Sequence, residues 1–100
     1  MTIEASRIEL EKSASGGRYV YGFPDGSAAE MAYVERQPGI VTITHTGTPR
    51  QHRGQGVAAA LVARAVGDFR AAGQKVIPAC WFAREQFEAH PDWSDLLHRR

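Results

Sequence analysis

One cysteine, Cys80, stands among one hundred residues, so no internal disulfide can form and a cross-linked secreted scaffold is excluded. No apolar run reaches the length of a membrane-spanning helix. The opening residues, Met1-Thr2-Ile3-Glu4, carry an early acid and none of the apolar stretch of a secretory leader, so the expected compartment is a reducing cytoplasm. Charge of one sign is not in excess either. Lys and Arg number 12 against 11 Asp and Glu, a net +1 that gives no reason to expect nucleic acid or an anionic membrane as partner. Repeats, low-complexity segments and linkers are absent, and no metal site is expected. What remains is an ordinary apolar content of 43 %, enough for one globular domain spanning residues 1–100. A chain of this size buries roughly 60–65 % of the surface that its unfolded form exposes.

The first half has the period of strands. Ile8 and Leu10 alternate with Glu9 and Glu11. Residues 13–17 look like a small glycine-bearing loop, and residues 18–23 like a second strand rich in aromatics. Phe23-Pro24-Asp25-Gly26 is a turn, since proline presets φ and glycine accepts positive φ. Residues 27–36 alternate weakly around Met31 and Tyr33. Gln37-Pro38-Gly39 then turns into the clearest strand, residues 40–46. Connections this short favour an antiparallel meander.

The second half changes period. Val57, Ala58, Leu61, Val62, Ala65, Val66 and Phe69 make one continuous helical face, which predicts a helix over residues 54–72 with Gly73 as its stop. A short strand over 75–77 follows, then a helix over 81–89 ended by His90-Pro91, and a helical turn or two over 92–98. Strand, helix and strand at this spacing give two parallel strands with a right-handed crossover.

The richest segment joins the strand over 40–46 to the first helix: Thr48-Pro49-Arg50-Gln51-His52-Arg53-Gly54-Gln55-Gly56-Val57-Ala58. A helix N-terminus carries unpaired amides and partial positive charge, hence a ready anion site. Gly54 and Gly56 clear side chains from those donors, and Arg50, His52 and Arg53 add charge, so the expected ligand is a pyrophosphate. A Walker loop would need Gly-Lys-Ser/Thr, where Val57-Ala58 stand. Gly54-x-Gly56-x-x-Ala59 does fit a dinucleotide fingerprint. However, the next strand runs into Pro78-Ala79-Cys80 without the acid that would bind a ribose, and the chain is too short for a doubly wound sheet.

The segment Gln51-His52-Arg53-Gly54-Gln55-Gly56 resembles the pyrophosphate motif Gln/Arg-x-x-Gly-x-Gly/Ala of the GNAT superfamily of N-acetyltransferases. With His45-Thr46, Pro49, Pro78-x-Cys80-x-Phe82 and His90-Pro91-x-Trp93, the chain is similar to the short YjdJ-type branch of that superfamily over about residues 29–97. The resemblance implies a minimal GNAT-type α/β (α+β) fold. Antiparallel N-terminal strands would precede a β-α-β unit whose parallel strands splay to admit acetyl-CoA. By position, Thr46 and Thr48 would pair with the pantetheine arm, while Arg53, Gly54, Gln55, Gly56, Val57 and Ala58 would wrap the pyrophosphate. Arg50, His52 or Lys75 would approach the 3′-phosphate. Trp81 and Phe82 would line the channel.

Two residues are candidates for the chemistry. His45 alternates with Val41 and Ile43, which places it near the splay, where an imidazole can take a proton from an amine; the plainer reading is a histidine bonded to backbone at a strand end. Cys80 would lie across the gap at a helix N-terminus, where unpaired amides favour a thiolate. There it would accept the acetyl group, donate a proton to departing CoA, or simply be a small buried hydrophobe. Two features depart from the family pattern. Phe87 stands where many members carry a tyrosine proton donor, and residues 11–18 are too few for the helices that shape the acceptor side.

The expected function is transfer of acetyl from acetyl-CoA to a primary amine on a small molecule or protein, by a monomer or weak homodimer. The alternative is a CoA- or acyl-CoA-binding module that acts through protein partners. A nucleic-acid module built on Arg50, His52 and Arg53 would lack a basic stripe and stacking aromatics.

Overall fold

Alternation in the first half produces four strands: β1 (Glu9–Ser13), β2 (Gly16–Gly22), β3 (Ala28–Gln37) and β4 (Ile40–Gly47). They are followed by α1 (Val57–Ala71), β5 (Lys75–Pro78) and α2 (Trp81–Ala89), with short 3-10 helices at Ala5–Arg7, Arg50–His52 and Pro91–Leu96. These elements belong to a computed structural model that describes residues 3–98. The five strands form one sheet in sequence order, antiparallel from β1 to β4, with β5 parallel to β4. The mixed α/β fold is the one expected from the sequence.

Tyr19, Tyr21, Met31, Tyr33, Val41 and Ile43 project from one face of the sheet into a single core. α1 covers them with the helical face read from its period: Val57, Leu61, Val62, Ala65, Val66 and Phe69 are all buried. Each of the larger aliphatic and aromatic side chains contributes about 1.5–3 kcal/mol by leaving water. Ala83 and Phe87 of α2, with Trp93 and Leu96 of the last turn, complete the same core. The opposite face carries Val20, Ala32, Val34, Thr42 and Ile77, half-buried among their neighbours, and no described helix packs over it.

Several boundaries differ from expectation, each for a local reason. α1 begins three residues late because Gly54 and Gly56 have φ of 84° and 80°, outside the right-handed helical region. It stops as predicted. Gly73 is left-handed, with its amide bonded to Arg70 O and that of Gln74 to Phe69 O, which closes the last turn. The glycine loop over 13–17 is tighter than read, since only Ala14 and Ser15 connect β1 to β2. Gly16 is a strand residue pressed against β3: a Cβ there would lie 2.2 Å from Tyr33 O. After the last 3-10 helix, Leu97 bridges to Val76 and the His98 amide bonds Val76 O, so residues 97–98 lie along β5.

β4 contains the two irregularities that matter most. Its pairing with β3 slips by one residue between Tyr33↔Ile43 and Ala32↔His45, a bulge at Thr44. Its pairing with β5 ends at Ile43↔Pro78, where the amides of Ala79 and Cys80 both bond Ile43 O. β4 continues to Gly47 without β5 beside it. The parallel strands therefore splay, as the resemblance implied.

Candidate active site

The N-terminus of α1 is an uncapped set of donors. Gly56 is the N-cap residue and offers no side chain, and the first turn carries no acid. The first helical bond runs from Ala60 N to Gly56 O, so the amides of Val57, Ala58 and Ala59 have no acceptor within the helix. Two left-handed glycines immediately before them form a concave amide turn. A Cβ at Gly54 would enter open space, leaving the turn approachable by an anion. Amides, helix dipole and nearby Arg53 together fit a diphosphate.

This loop is braced from the sheet. The His52 ring stacks on Phe23 at 3.7 Å and 7°, and its Nε2 lies 2.8 Å from Asp25 Oδ2. Gln51 Nε2 donates to the same oxygen at 3.3 Å. The Ser27 hydroxyl and amide, with His52 and Gln51, hold the Asp25 carboxyl well below the usual carboxylate range. Arg53 Nε donates to Thr48 O at 3.3 Å, tying the two ends of the loop. His52 is thus held by the turn after β2 through its Nε2 and one ring face. Lys75 is removed from the expected 3′-phosphate role. It begins β5 beside Ile40, at the end of the sheet away from the splay, and its Nζ donates to Asp95 O at 2.6 Å. Arg50 remains exposed on the loop.

Between the glycine turn, the free end of β4 and α2 lies a cleft of about 500 Å³. Thr46, Thr48, Arg53, Gly54, Gly56, Val57 and Ala58 line it, as do Trp81 and Phe82, all anticipated from the sequence. Gln55 is exposed and does not line it; His52 and Ala59 do, as do Gly47 and Gln86, which no motif announces. Trp81 is 67 % exposed, the exposed large hydrophobic residue among those described, and it forms part of the cleft wall. An indole left in water beside a cradle for an anion fits a ligand with a charged end and an apolar arm.

Cys80 is the N-cap residue of α2, adjacent in the chain to Trp81 of the cleft wall. Its thiol lies 3.4 Å from Thr46 Oγ1. Burial pushes the thiol up, but the Thr46 hydroxyl, the amides of Ala83 and Phe82 and that of Thr46 outweigh it, and the net shift is downward. The sulfur makes no capping hydrogen bond, so the helix amides act on it as oriented dipoles.

His45 is not where alternation placed it. The bulge at Thr44 reverses the pleat, so His45 pairs with Ala32 on the uncovered face, while Thr46 pairs with Met31 on the core face. Thr46, not His45, is the β4 residue that meets Cys80. His45 is exposed and flanks the same splayed edge from the other side. Phe87, at the position of the familiar tyrosine, is buried against Trp93 with ring centroids 5.3 Å apart and has no proton to give.

Comparison with known proteins agrees with this geometry. A sequence profile of the GCN5-related N-acetyl-transferase family matches residues 18–96. Among solved structures, the solution structure of a GCN5-like candidate N-acetyltransferase from Staphylococcus aureus superposes with a TM-score of 0.71. It is 25 % identical, and the match covers 95 % of this chain and 92 % of that one. No curated protein sequence matches. The glycine turn, the cleft and the splayed strands all fall within the matched segment. The chain belongs to the GCN5-related N-acetyltransferase family, and its activity class is acetyl transfer.

Proposed function

We propose that this protein transfers acetyl from acetyl-CoA to a primary amine, with the donor in the cleft and the amine arriving from the uncovered face of the sheet. The observation that carries this reading is the conjunction of an uncapped amide turn, a strand edge freed by the splay, and a thiol of lowered pKa that meets Thr46 on that edge. When bound, acetyl-CoA supplies an activated acetyl thioester. The amides of Val57, Ala58 and Ala59 with Arg53 hold its diphosphate. Thr46 and Thr48 offer strand polar groups to its arm, and Trp81 and Phe82 exclude water along it. Gln55 shapes the turn through its backbone only.

The chain's own residues divide the proton work across the sheet. Cys80 keeps a transferable proton at Sγ on the cleft side, the role that the buried Phe87 cannot fill. His45 presents an imidazole on the opposite side of the same edge, where it accepts a proton from an incoming ammonium. The compact acceptor side, without helices between β1 and β2, leaves that approach open. The His45-Thr46, Pro78-x-Cys80-x-Phe82 and His90-Pro91-x-Trp93 segments support assignment to the YjdJ-type branch.

Release of free CoA from acetyl-CoA in the presence of a panel of primary amines tests the reading. The expected result is amine-dependent release that falls by about 10²-fold or more in His45→Ala and in Cys80→Ala. Tight binding of acetyl-CoA with no amine-dependent release would instead identify a binding module.

A further inference from the structure

A second cavity, of about 320 Å³, lies at the C-terminal end of α1 and shares no lining residue with the donor cleft. The last turn of the helix walls it on one side, and residues of β1, β2 and β3 wall it on the other. Tyr19, Tyr33 and Phe69 supply aromatic surface. Ring centroids stand 5.1 Å apart for Tyr33 and Phe69, and 6.0 Å apart for the two tyrosines. Two carboxylates, Glu35 and Asp68, and one exposed ammonium, Lys12, supply the charge of the lining. A preformed hollow with aromatic walls and a few polar groups is the usual form of a small-molecule site.

The two tyrosines differ in how their hydroxyls are satisfied. Tyr19, fully buried, donates to Asp68 Oδ2 at 2.8 Å. Tyr33 is only 7 % exposed, yet its hydroxyl makes no hydrogen bond among the described residues. Its oxygen lies over Gly17, where a Cβ would stand 2.9 Å away, and it is not sealed from solvent. A tyrosine this deep with an accessible, unpaired hydroxyl offers its hydrogen bonds to whatever enters the cavity that it lines. The carboxylates also keep one oxygen each in reserve. Asp68 Oδ2 takes both Tyr19 and Arg64, and Glu35 Oε2 takes both the Gly39 amide and Gln74. Asp68 Oδ1 and Glu35 Oε1 have no partner among the described residues. Burial and the charges of Glu35 and Asp68 raise the Tyr33 phenol above its ordinary value, so the field at that oxygen favours a cation.

We infer that this cavity is a second ligand site, which takes a small primary ammonium ion with a short apolar arm. The ammonium donates to Tyr33 Oη in the field of Glu35 and Asp68, and the arm lies against the aromatic walls. No bond forms or breaks there. Occupancy of this site is separate from acetyl transfer, since the donor cleft is built at the other end of α1.

Amide chemical shifts of the labelled protein, recorded against n-butylamine, 1-butanol and butyrate at neutral pH, test the assignment. The ammonium of butylamine should give saturable changes at Tyr33, Glu35, Asp68 and Phe69, with none from the alcohol or the carboxylate. Tyr33→Phe removes a hydroxyl that holds nothing in the free protein. Its Tm should be unchanged, while Kd for butylammonium rises roughly three- to tenfold. An equal Kd in Tyr33→Phe would leave an aromatic hollow with no site for the ammonium, and that outcome overturns the inference. So does saturation by butanol with the same Kd, changes confined to residues 45–59 and 80–86, or no saturable change at all.

Discussion

Cys80 shows how local donors decide the state of a side chain that burial alone would make inert. Desolvation favours the neutral thiol, while the Thr46 hydroxyl and the amides at the start of α2 favour the thiolate, and the latter prevail. Thr46→Val keeps the shape and removes the hydroxyl. The thiol should then ionise at higher pH, so alkylation by iodoacetamide near neutral pH slows severalfold and its pH profile moves to the alkaline side. An unchanged profile would mean that the helix amides suffice alone. Cys80 was conspicuous in the sequence as the single cysteine after Pro78, but its partner was not. Alternation along residues 40–46 pointed to His45 because a bulge leaves no mark in a hydrophobic period. One extra residue at Thr44 exchanges the faces of everything after it. His52 was legible as a basic neighbour of the glycines. Its stack on Phe23 depends on a contact 29 residues away in sequence, which no local pattern encodes.

At the level of elements, the same residue type serves opposite ends. Gly54 and Gly56 are needed for positive φ, and Gly16 for close approach to β3, yet in the sequence the first two read as clearing space for an anion and Gly16 as part of a loop. Gly16→Ala would drive a Cβ against Tyr33 O and the Cα of Val34, both backbone atoms that cannot yield by rotating a side chain. The substitution should cost about 2 kcal/mol or more, read as a fall in Tm of roughly 10 °C. Gly22→Ala, at the other end of the same strand and with no atom within 4 Å of its added methyl, should be near neutral. Equal effects at the two positions would show that strand glycine entropy, not contact, is what matters. α1 was the most legible element, since its six buried positions follow one helical face. Its start was misplaced because a period of apolar residues does not register the φ of the glycines before it.

Over the whole molecule, the division of labour follows from a sheet with one face packed and one face open. Both helices and the final turn gather on the core side of the sheet, and with them the amide turn, Trp81 and Cys80. The open side keeps small and β-branched residues at its centre, with His45 on the strand beside the splay and Glu30 and Arg18 on the next two strands. The order of strands and the parallel crossover were readable because short turns allow a meander and a strand-helix-strand segment allows one hand. The uncovered face was foreshadowed by the short connection between β1 and β2, too brief for covering helices. The expected cytoplasmic setting has a narrower structural counterpart: no described helix is long and apolar enough to cross a membrane.

Donor binding requires the amide turn and the splayed edge to act as one site. Backbone amide chemical shifts of the labelled protein, recorded during titration with acetyl-CoA, test this most directly. Saturable changes should be largest at residues 54–59, 46–48 and 80–82, and Gly54→Val should weaken the titration about tenfold or more by straining the left-handed turn. Saturable changes centred elsewhere, or none at all, would contradict the account.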